Sequence, residues 1–386
     1  MKILFAPDSF KGSASAKHIT KLLEEVTQRH FPECEMISVP VGDGGEGTVE
    51  AVLDVLGGHY VSVNVTGPLG KSVQARYGVF GEDSAIIEMA QASGLPLIPA
   101  DELDPIQATS YGTGEVLKHA IQSGCRNIYL LIGGSATNDG GIGAASALGI
   151  RFLDNREKEV PVNGSGLIQV KSIDVSGLCS KLADVHITIM CDVTNLLLGP
   201  DGATYVYGKQ KGATERIQKE LEQGMENYIK IVEDTCKKEL RNIPGIGAAG
   251  GIAVPFVAFA DVSIRSGIET VLELLGFEEI LQGVDLVVTG EGRLDGQSSC
   301  GKVLSGIGEI CQKRGIPVVA VAGGIGDGAE KIYEKGVSSA IACVNNVMSL
   351  KEALEDTDKL FCQAADQMYR FIKVGITIEK KQRDKK

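Results

Sequence analysis

Apolar positions in the first sixty residues switch between the two periods that separate strands from helices. Ile3, Leu4, Phe5 and Ala6 form a short continuous apolar run, and Ala16, Ile19, Leu22, Leu23 and Val26 then recur at helical spacing behind the capping hydroxyls of Ser13 and Ser15. Met36 to Val39 reads as a second strand, and Val49, Val52, Leu53 and Leu56 as the stripe of a second helix. This βαβα order predicts a parallel sheet. Between Tyr60 and Met89 apolar and polar residues alternate through Val61, Val63 and Val65, then Val73, Ala75, Tyr77 and Val79, then Ala85 to Glu88. No helix-length segment separates these runs, so an antiparallel or mixed sheet is expected to begin there. The change of period marks a domain boundary.

Helical and strand signals alternate again farther along. Gly114 to Ser123 reads as a helix, Ile128 to Ile132 as a buried strand, Gly141 to Leu148 as a small-residue helix, and His186 to Met190 as a strand ending at Cys191 and Asp192. Gly212 to Leu240 is a long polar helix with Ile217, Leu221, Met225, Tyr228, Ile229 and Val232 on one side, a pattern that covers a core. From Val284 a βαβαβα order returns: strands at Val284–Val288, Pro317–Ala322 and Ala340–Val344, and helices at Cys300–Lys313, Ala329–Lys335 and Leu350–Ile372. The two chain ends share this order. The expected architecture is therefore α/β: a doubly wound parallel-sheet domain built from residues 1–60 plus 284–373, with a second α/β domain of mixed sheet, 61–283, inserted. Two consecutive domains dividing near residue 200 are the alternative. The basic tail, 374–386, is expected to be disordered.

Size and charge narrow the function. At 386 residues the chain exceeds what one hydrophobic core supports, which favours two domains. A net charge of −12 disfavours nucleic acid and anionic membrane surfaces as partners, so an anionic small molecule has to be met by local basic side chains or backbone amides. The absence of tryptophan argues against a base-stacking platform. Nine cysteines, scattered and never paired as C-x-x-C, point to reduced thiols in a cytoplasmic protein rather than a zinc site or a disulfide framework. Every apolar run is far shorter than the ~20 residues a bilayer crossing needs, and no signal peptide is expected.

Candidate chemistry lies in four stretches that place glycines beside acidic groups after an expected strand: PDSFKGSASA from Pro7, VGDGGEGT from Val41, IGGSATNDGGIG from Ile132 and TGEGRLDGQSSCGK from Thr289. Glycines let backbone N–H groups close on an anion, and the adjacent carboxylates can hold a divalent metal or accept a proton. That pairing suits phosphoryl transfer. In an open α/β sheet, ligands collect at the carboxyl ends of strands, where such loops lie. Asp8 and Lys11 flank Ser9; the lysine and serine can bind a carboxylate or phosphate oxygen and the aspartate can accept a hydroxyl proton. Helix capping by Asp8 or Ser9 is the plainer alternative. Asp43 and Glu46 should open onto the same sheet edge, and two acid-bearing loops there are harder to explain as caps.

In the third stretch Gly133, Gly134, Ser135, Thr137 and Asn138 offer amides and hydroxyls without bulk, suited to a polyphosphate or ribose, although glycine turns before helices are common. The fourth satisfies G-x-x-x-x-G-K from Gly296 to Lys302, yet Val303 stands where a P-loop needs Ser or Thr, so a standard Walker A reading is rejected. Phosphate binding is retained, because Lys302 opens a helix whose N-terminal amides form an anion site. Gly290, Gly292 and Gly301 lie in the same stretch, and Glu291 and Asp295 are left to hold the metal. A glycine-rich turn with a surface lysine is the competing account. Asp192, directly after a strand, is a further metal or substrate acid, or half of an Asx turn. The histidines are isolated from any serine or cysteine motif, which disfavours acyl transfer.

APDSFKGSASA, PVGDGGEGT, GGSATNDGGIGAASALG, CDVTN with LLGPDGAT, QKGA, GIGAAGG and TGEGRLDGQSSCGK occur in the order seen in the type-1 glycerate kinase family, which the chain resembles from about residue 1 to residue 373. The resemblance implies a flavodoxin-like domain with an inserted second domain, and ATP-dependent phosphorylation of glycerate with Mg2+, 2-phosphoglycerate being favoured over 3-phosphoglycerate. On that reading Asp8, Lys11, Asp43 and Asp192 are the candidate catalytic residues, and Ser9, Glu46 and Arg293 the candidates for substrate. Gly133, Gly134, Ser135, Thr137, Asn138, Gly290, Gly292, Gly301 and Lys302 are assigned to ATP, and Glu291 and Asp295 to the metal. Gly42 departs from the family, which commonly has alanine or serine there, as do Leu196 and Lys209, where proline is usual. A dinucleotide oxidoreductase is weaker, since PDSFKG lacks G-x-G-x-x-G and no acid ends the second strand. A non-catalytic sensor of nucleotide or sugar acid would bind ATP or glycerate without making ADP.

Overall fold

The opening apolar run becomes the strand Lys2–Phe5, which in the computed structural model lies inside an all-parallel five-stranded sheet. The structure describes residues 1–45, 47–299 and 302–384. Across this sheet the strands run Ser339–Ala342, Val318–Ile325, Leu286–Leu294, Lys2–Phe5 and Glu35–Ser38. Counted in chain order within the sheet this is 2-1-3-4-5, the flavodoxin-like doubly wound arrangement. Its strand order reverses between Lys2–Phe5 and Leu286–Leu294, held in register by pairs such as Phe5 with Val288. The carboxyl ends of those two strands therefore flank the position where such sheets bind ligands.

Two compact units divide the chain, Met1–Val55 with Ile268–Lys386, and Leu56–Gly267. In the first, the helix Ala16–His30 buries Ile19, Leu22, Leu23 and Val26, and its N-cap Ser15 accepts from the His18 N–H. The same core takes Phe361, Ala365 and Tyr369 from the last helix, Thr357–Arg383. The hydroxyls of Thr27 and Tyr369 join the two helices by a buried hydrogen bond. The single helix expected over Leu350–Ile372 is broken at Asp356 into Leu350–Glu355 and Thr357–Arg383. Its second part runs to Arg383, through most of the tail expected to be disordered. The strand expected to end at Val288 continues to Leu294, carrying Gly290, Glu291 and Gly292 within it.

In the second unit, the alternating segment forms Gly58–Thr66, Ser72–Phe80 and Ser84–Glu88, joined antiparallel. Parallel pairing then adds Asn127–Leu131, His186–Met190 and Asp261–Arg265, giving a six-stranded mixed sheet. The last of these, DVSIR, is not among the expected strands, although its polar and apolar residues alternate with the strand period. The helix Glu215–Cys236 buries Leu221, Met225, Tyr228, Ile229 and Val232, with Thr214 as its N-cap. Among the described residues no helix is long and apolar enough to cross a membrane.

Candidate active site

Leaving the first strand, the chain carries its ladder onward: the Asp8 N–H donates to the Gly290 carbonyl at 2.8 Å. This fixes Asp8 beside the extended strand that bears Glu291. Both carboxylates are 5% exposed and line one cleft of about 560 Å3, together with Ser9, Lys11, Asp43, Arg293 and Lys302. The cleft belongs entirely to the first unit. Asp43 enters from the loop after Glu35–Ser38 and binds Lys11 Nζ through Oδ2 at 2.8 Å, while its Oδ1 accepts the Gly45 N–H at 2.9 Å. An added Cβ on Gly42 would lie 2.7 Å from Thr48 Cα, so this glycine allows a close backbone approach at the base of the acidic loop.

Three acids close together in low dielectric cannot all be charged cheaply. Burial, with repulsion from Asp43 and Glu291, raises Asp8 to about 7, against the opposing pull of the Ser9 N–H and Lys11. The Ser9 N–H donates to Asp8 Oδ1 at 2.6 Å. Burial also raises Glu291 to about 7; Asp295 and Asp43 add to the rise, and the Ser298 hydroxyl and Lys302 oppose it. Burial alone would lower Lys11, but its ion pair with Asp43 and the nearby Asp8 and Glu291 more than offset that and raise it. The cleft thus pairs groups that can exchange protons near neutrality with a lysine that stays charged.

Glu291 Oε1 is buried without a hydrogen-bond partner, which calls for an explanation. Among the described residues no three His, Cys, Asp or Glu side chains gather into a ready-made metal cage. Mg2+ needs none: it is held by one or two carboxylates plus substrate phosphates and keeps several waters. A buried hard oxygen without a partner, on a residue that lines the cleft, fits that chemistry. Asp295 is less available. Its Oδ2 lies 3.2 Å from Arg293 Nε and its Oδ1 accepts the Gln297 N–H at 3.0 Å.

Gly290 serves the sheet first, and Gly292 lies within the strand beside Gly323. A Cβ on Gly290 would meet the Val321 carbonyl at 2.3 Å, and one on Gly323 would meet the Gly292 carbonyl at 2.3 Å, so these glycines let neighbouring strands approach. Lys302 caps the helix Val303–Arg314. Glu46 and Gly301 lie outside the described residues. Gly323, Gly324 and Gly326 also line the cleft. They went unremarked in the sequence, although VVAVAGGIGDG repeats the signal of an apolar strand running into glycines.

The remaining candidates belong to the second unit. Gly133 and Gly134 are exposed, Gly134 at φ +70, and a Cβ on Gly133 would meet nothing within 4 Å, leaving backbone that an anion can approach. Ser135, Thr137 and Asn138 are buried, the last two completely. Asn138 Nδ2 donates to Thr204 Oγ1 at 3.1 Å, and the Thr137 carbonyl accepts from Lys211 Nζ at 2.6 Å. Thr137 and Asn138, assigned to ATP from the sequence, thus have their side chains enclosed in the unit's interior. Asp139, behind them, accepts from Ser110 N at 2.8 Å, Ser110 Oγ at 2.8 Å, Gly141 N at 3.1 Å and Gly143 N at 3.3 Å. Burial pulls Lys211 down to about 7, with Asp139 opposing. Asp192 is exposed and accepts from the Ser266 hydroxyl at 3.0 Å and the Gly267 N–H at 2.8 Å.

Comparison with known proteins agrees with the fold and the motif order. Residues 3–373 match the Glycerate kinase family. The chain is 42% identical to a protein named glycerate kinase from Halalkalibacterium halodurans, over 94% of this chain and 96% of that one. It is 40% identical to glycerate 2-kinase of Escherichia coli (strain K12), over 97% and 99%. A crystal structure bearing the name glycerate kinase 2, from Salmonella typhimurium LT2, superposes with a TM-score of 0.89 at 39% identity, covering 98% of this chain and 99% of that one.

Proposed function

Because the chain belongs to the glycerate kinase family, we propose that it transfers the terminal phosphoryl group of ATP to a hydroxyl of glycerate, favouring 2-phosphoglycerate over 3-phosphoglycerate. The observation that carries this reading is the buried Asp8, near pKa 7, in one cleft with the Lys11–Asp43 ion pair at the switch point of a flavodoxin-like sheet. The E. coli relative, by its name a 2-kinase, supports the choice of hydroxyl.

In this mechanism Asp8 takes the proton of the attacking hydroxyl as its oxygen bonds to the γ-phosphorus, and the bond to the β–γ bridging oxygen breaks to release ADP. A carboxylate titrating near neutrality matches that task, since about half of it is ionised at pH 7 and it is basic enough to accept the proton. Asp43 holds Lys11 so that its ammonium faces the transferring group, with Arg293 and Lys302 adding positive charge; such transfers are driven mainly by positioning and charge neutralisation. Ser9 and Arg293 hold the glycerate carboxylate. Glu291, with Asp295 turned from Arg293, would hold Mg2+, which would supply charge neutralisation on the phosphates. The exposed backbone of Gly133 and Gly134 is a second anion-binding surface, on the other unit. Scattered thiols and the small anionic substrates suit a cytoplasmic setting.

An ADP-release assay with and without glycerate, followed by NMR of the product, tests the reading. ADP should form only with glycerate present, with phosphorus attached to carbon 2. Replacing Asp43 with asparagine should cut turnover by roughly a hundredfold or more, since it frees Lys11. ATP consumption without a phosphoglycerate product, or near-normal turnover in that variant, would overturn it.

A further inference from the structure

The cleft is charged at one end and apolar at the other. Its charged groups sit at the carboxyl ends of Lys2–Phe5 and Leu286–Leu294. The apolar ones come from the outer strands and the helix beyond them: Ile325 closes Val318–Ile325, Val344 follows Ser339–Ala342, and Leu350 and Leu354 lie on Leu350–Glu355. All four are large and open to solvent, with exposures of 47%, 37%, 76% and 38%. Four exposed apolar side chains that line one cleft form an apolar wall open to a ligand.

The proposed reaction, on which this inference rests, limits what can cover it. Glycerate presents a carboxylate and hydroxyls, and a triphosphate presents only charge. The base of the nucleotide is the one broad apolar surface among the reactants. We propose that this wall seats the adenine ring of ATP, the triphosphate running from it toward Lys11 and Lys302. A cleft of about 560 Å3 is larger than a three-carbon acid alone requires. The wall also sets specificity. Among the described residues on it, Thr357 carries a hydroxyl, and that hydroxyl bonds the Ala353 and Leu354 carbonyls at 3.3 and 2.8 Å. The base is therefore gripped by its faces and hardly read at its edge, so GTP should serve within roughly tenfold of ATP in kcat/KM, as expected of an apolar pocket that lacks polar readout.

Calorimetric titration of ADP and of inorganic tripolyphosphate into the full-length protein separates base from phosphate without turnover. Leu350→Gln combined with Leu354→Gln keeps the charge unchanged and should raise the ADP Kd roughly tenfold, with tripolyphosphate binding unaltered. The single change Leu350→Gln, at the more exposed position, should move the ADP Kd the same way and guards against a folding defect in the double variant. The proposal is overturned if neither variant weakens ADP, if tripolyphosphate weakens in step with ADP, or if the variants change only sedimentation, which would assign the wall to contact between copies of the chain. Discrimination against GTP beyond a hundredfold would overturn the face-only grip. A wild-type protein that binds ADP through this wall yet makes no phosphoglycerate would overturn the kinase function and leave the wall standing.

Discussion

Asp8 and Asp139 each follow an apolar strand, each is almost wholly removed from water, and each has its pKa raised chiefly by burial. Their surroundings differ. Asp139 accepts four hydrogen bonds, from Ser110 and from the backbone of Gly141 and Gly143, with Lys211 adding positive charge nearby. Asp8 has the Ser9 N–H and faces other carboxylates across a cleft. A buried acid enclosed by donors holds a loop in shape, whereas one opposed by like charge beside open space is kept ready to change its protonation. Glycines and acids alone do not distinguish the two roles; the donors around the carboxylate do.

Substitutions can break this contrast, beginning with the cage. Asp139→Ala leaves the Ser110, Gly141 and Gly143 donors and Lys211 uncompensated and should cost about 3–5 kcal/mol of stability, measured by urea unfolding. A loss below about 1 kcal/mol would remove Asp139 from its structural role. Lys211 should produce the next effect, as a pH slope. Its ordinary value of 10.5 falls to about 7 on folding, so between those limits the unfolded chain binds more protons and stability rises with pH. Lys211→Met should abolish that rise in thermal midpoint; a variant that keeps it would place the titration elsewhere.

Gly42→Ala pushes a methyl against the Thr48 backbone and should destabilise by about 1–3 kcal/mol. Because the strain falls on the loop carrying Asp43, turnover should drop more than the thermal midpoint predicts; unchanged stability and kinetics would mean the loop can yield. The last effect concerns Asp8 and stability. Its folded pKa stands above the ordinary 3.8, so its cost to the folded state is absent below that value, grows as pH rises, and is complete above about 7. Asp8→Asn should therefore leave stability unchanged at pH 4 and improved at pH 8, as calorimetry would read; a loss at pH 8 would make Asp8 a structural residue like Asp139.

Much of this was legible in the residues. The period of Ile3–Phe5, Ile19–Val26 and Met36–Val39 sufficed for parallel βα units, and the switch to Val61, Val63 and Val65 for a mixed sheet. The loops carrying Asp8, Asp43 and Glu291 were recognisable because glycines and acids follow strands at one sheet edge. What periodicity could not say is which way a loop residue turns. Thr137 and Asn138 look like ligands in a string of glycines, and their burial depends on Thr204 and Lys211, more than sixty residues away. Gly290 and Gly292 read as loop glycines, yet the close approach of the Val318–Ile325 strand keeps them in the sheet. The apolar wall was hidden for a related reason: Ile325, Val344, Leu350 and Leu354 each look like core until the fold leaves them uncovered.

The claim that the Asp8 cleft performs the transfer is tested most directly by single-turnover phosphoryl transfer in Asp8→Asn, with saturating Mg2+, ATP and glycerate, alongside calorimetric binding of ADP and glycerate. Transfer should slow by roughly a thousandfold while both ligands still bind. Transfer within a few-fold of wild type in a variant that binds both would contradict it.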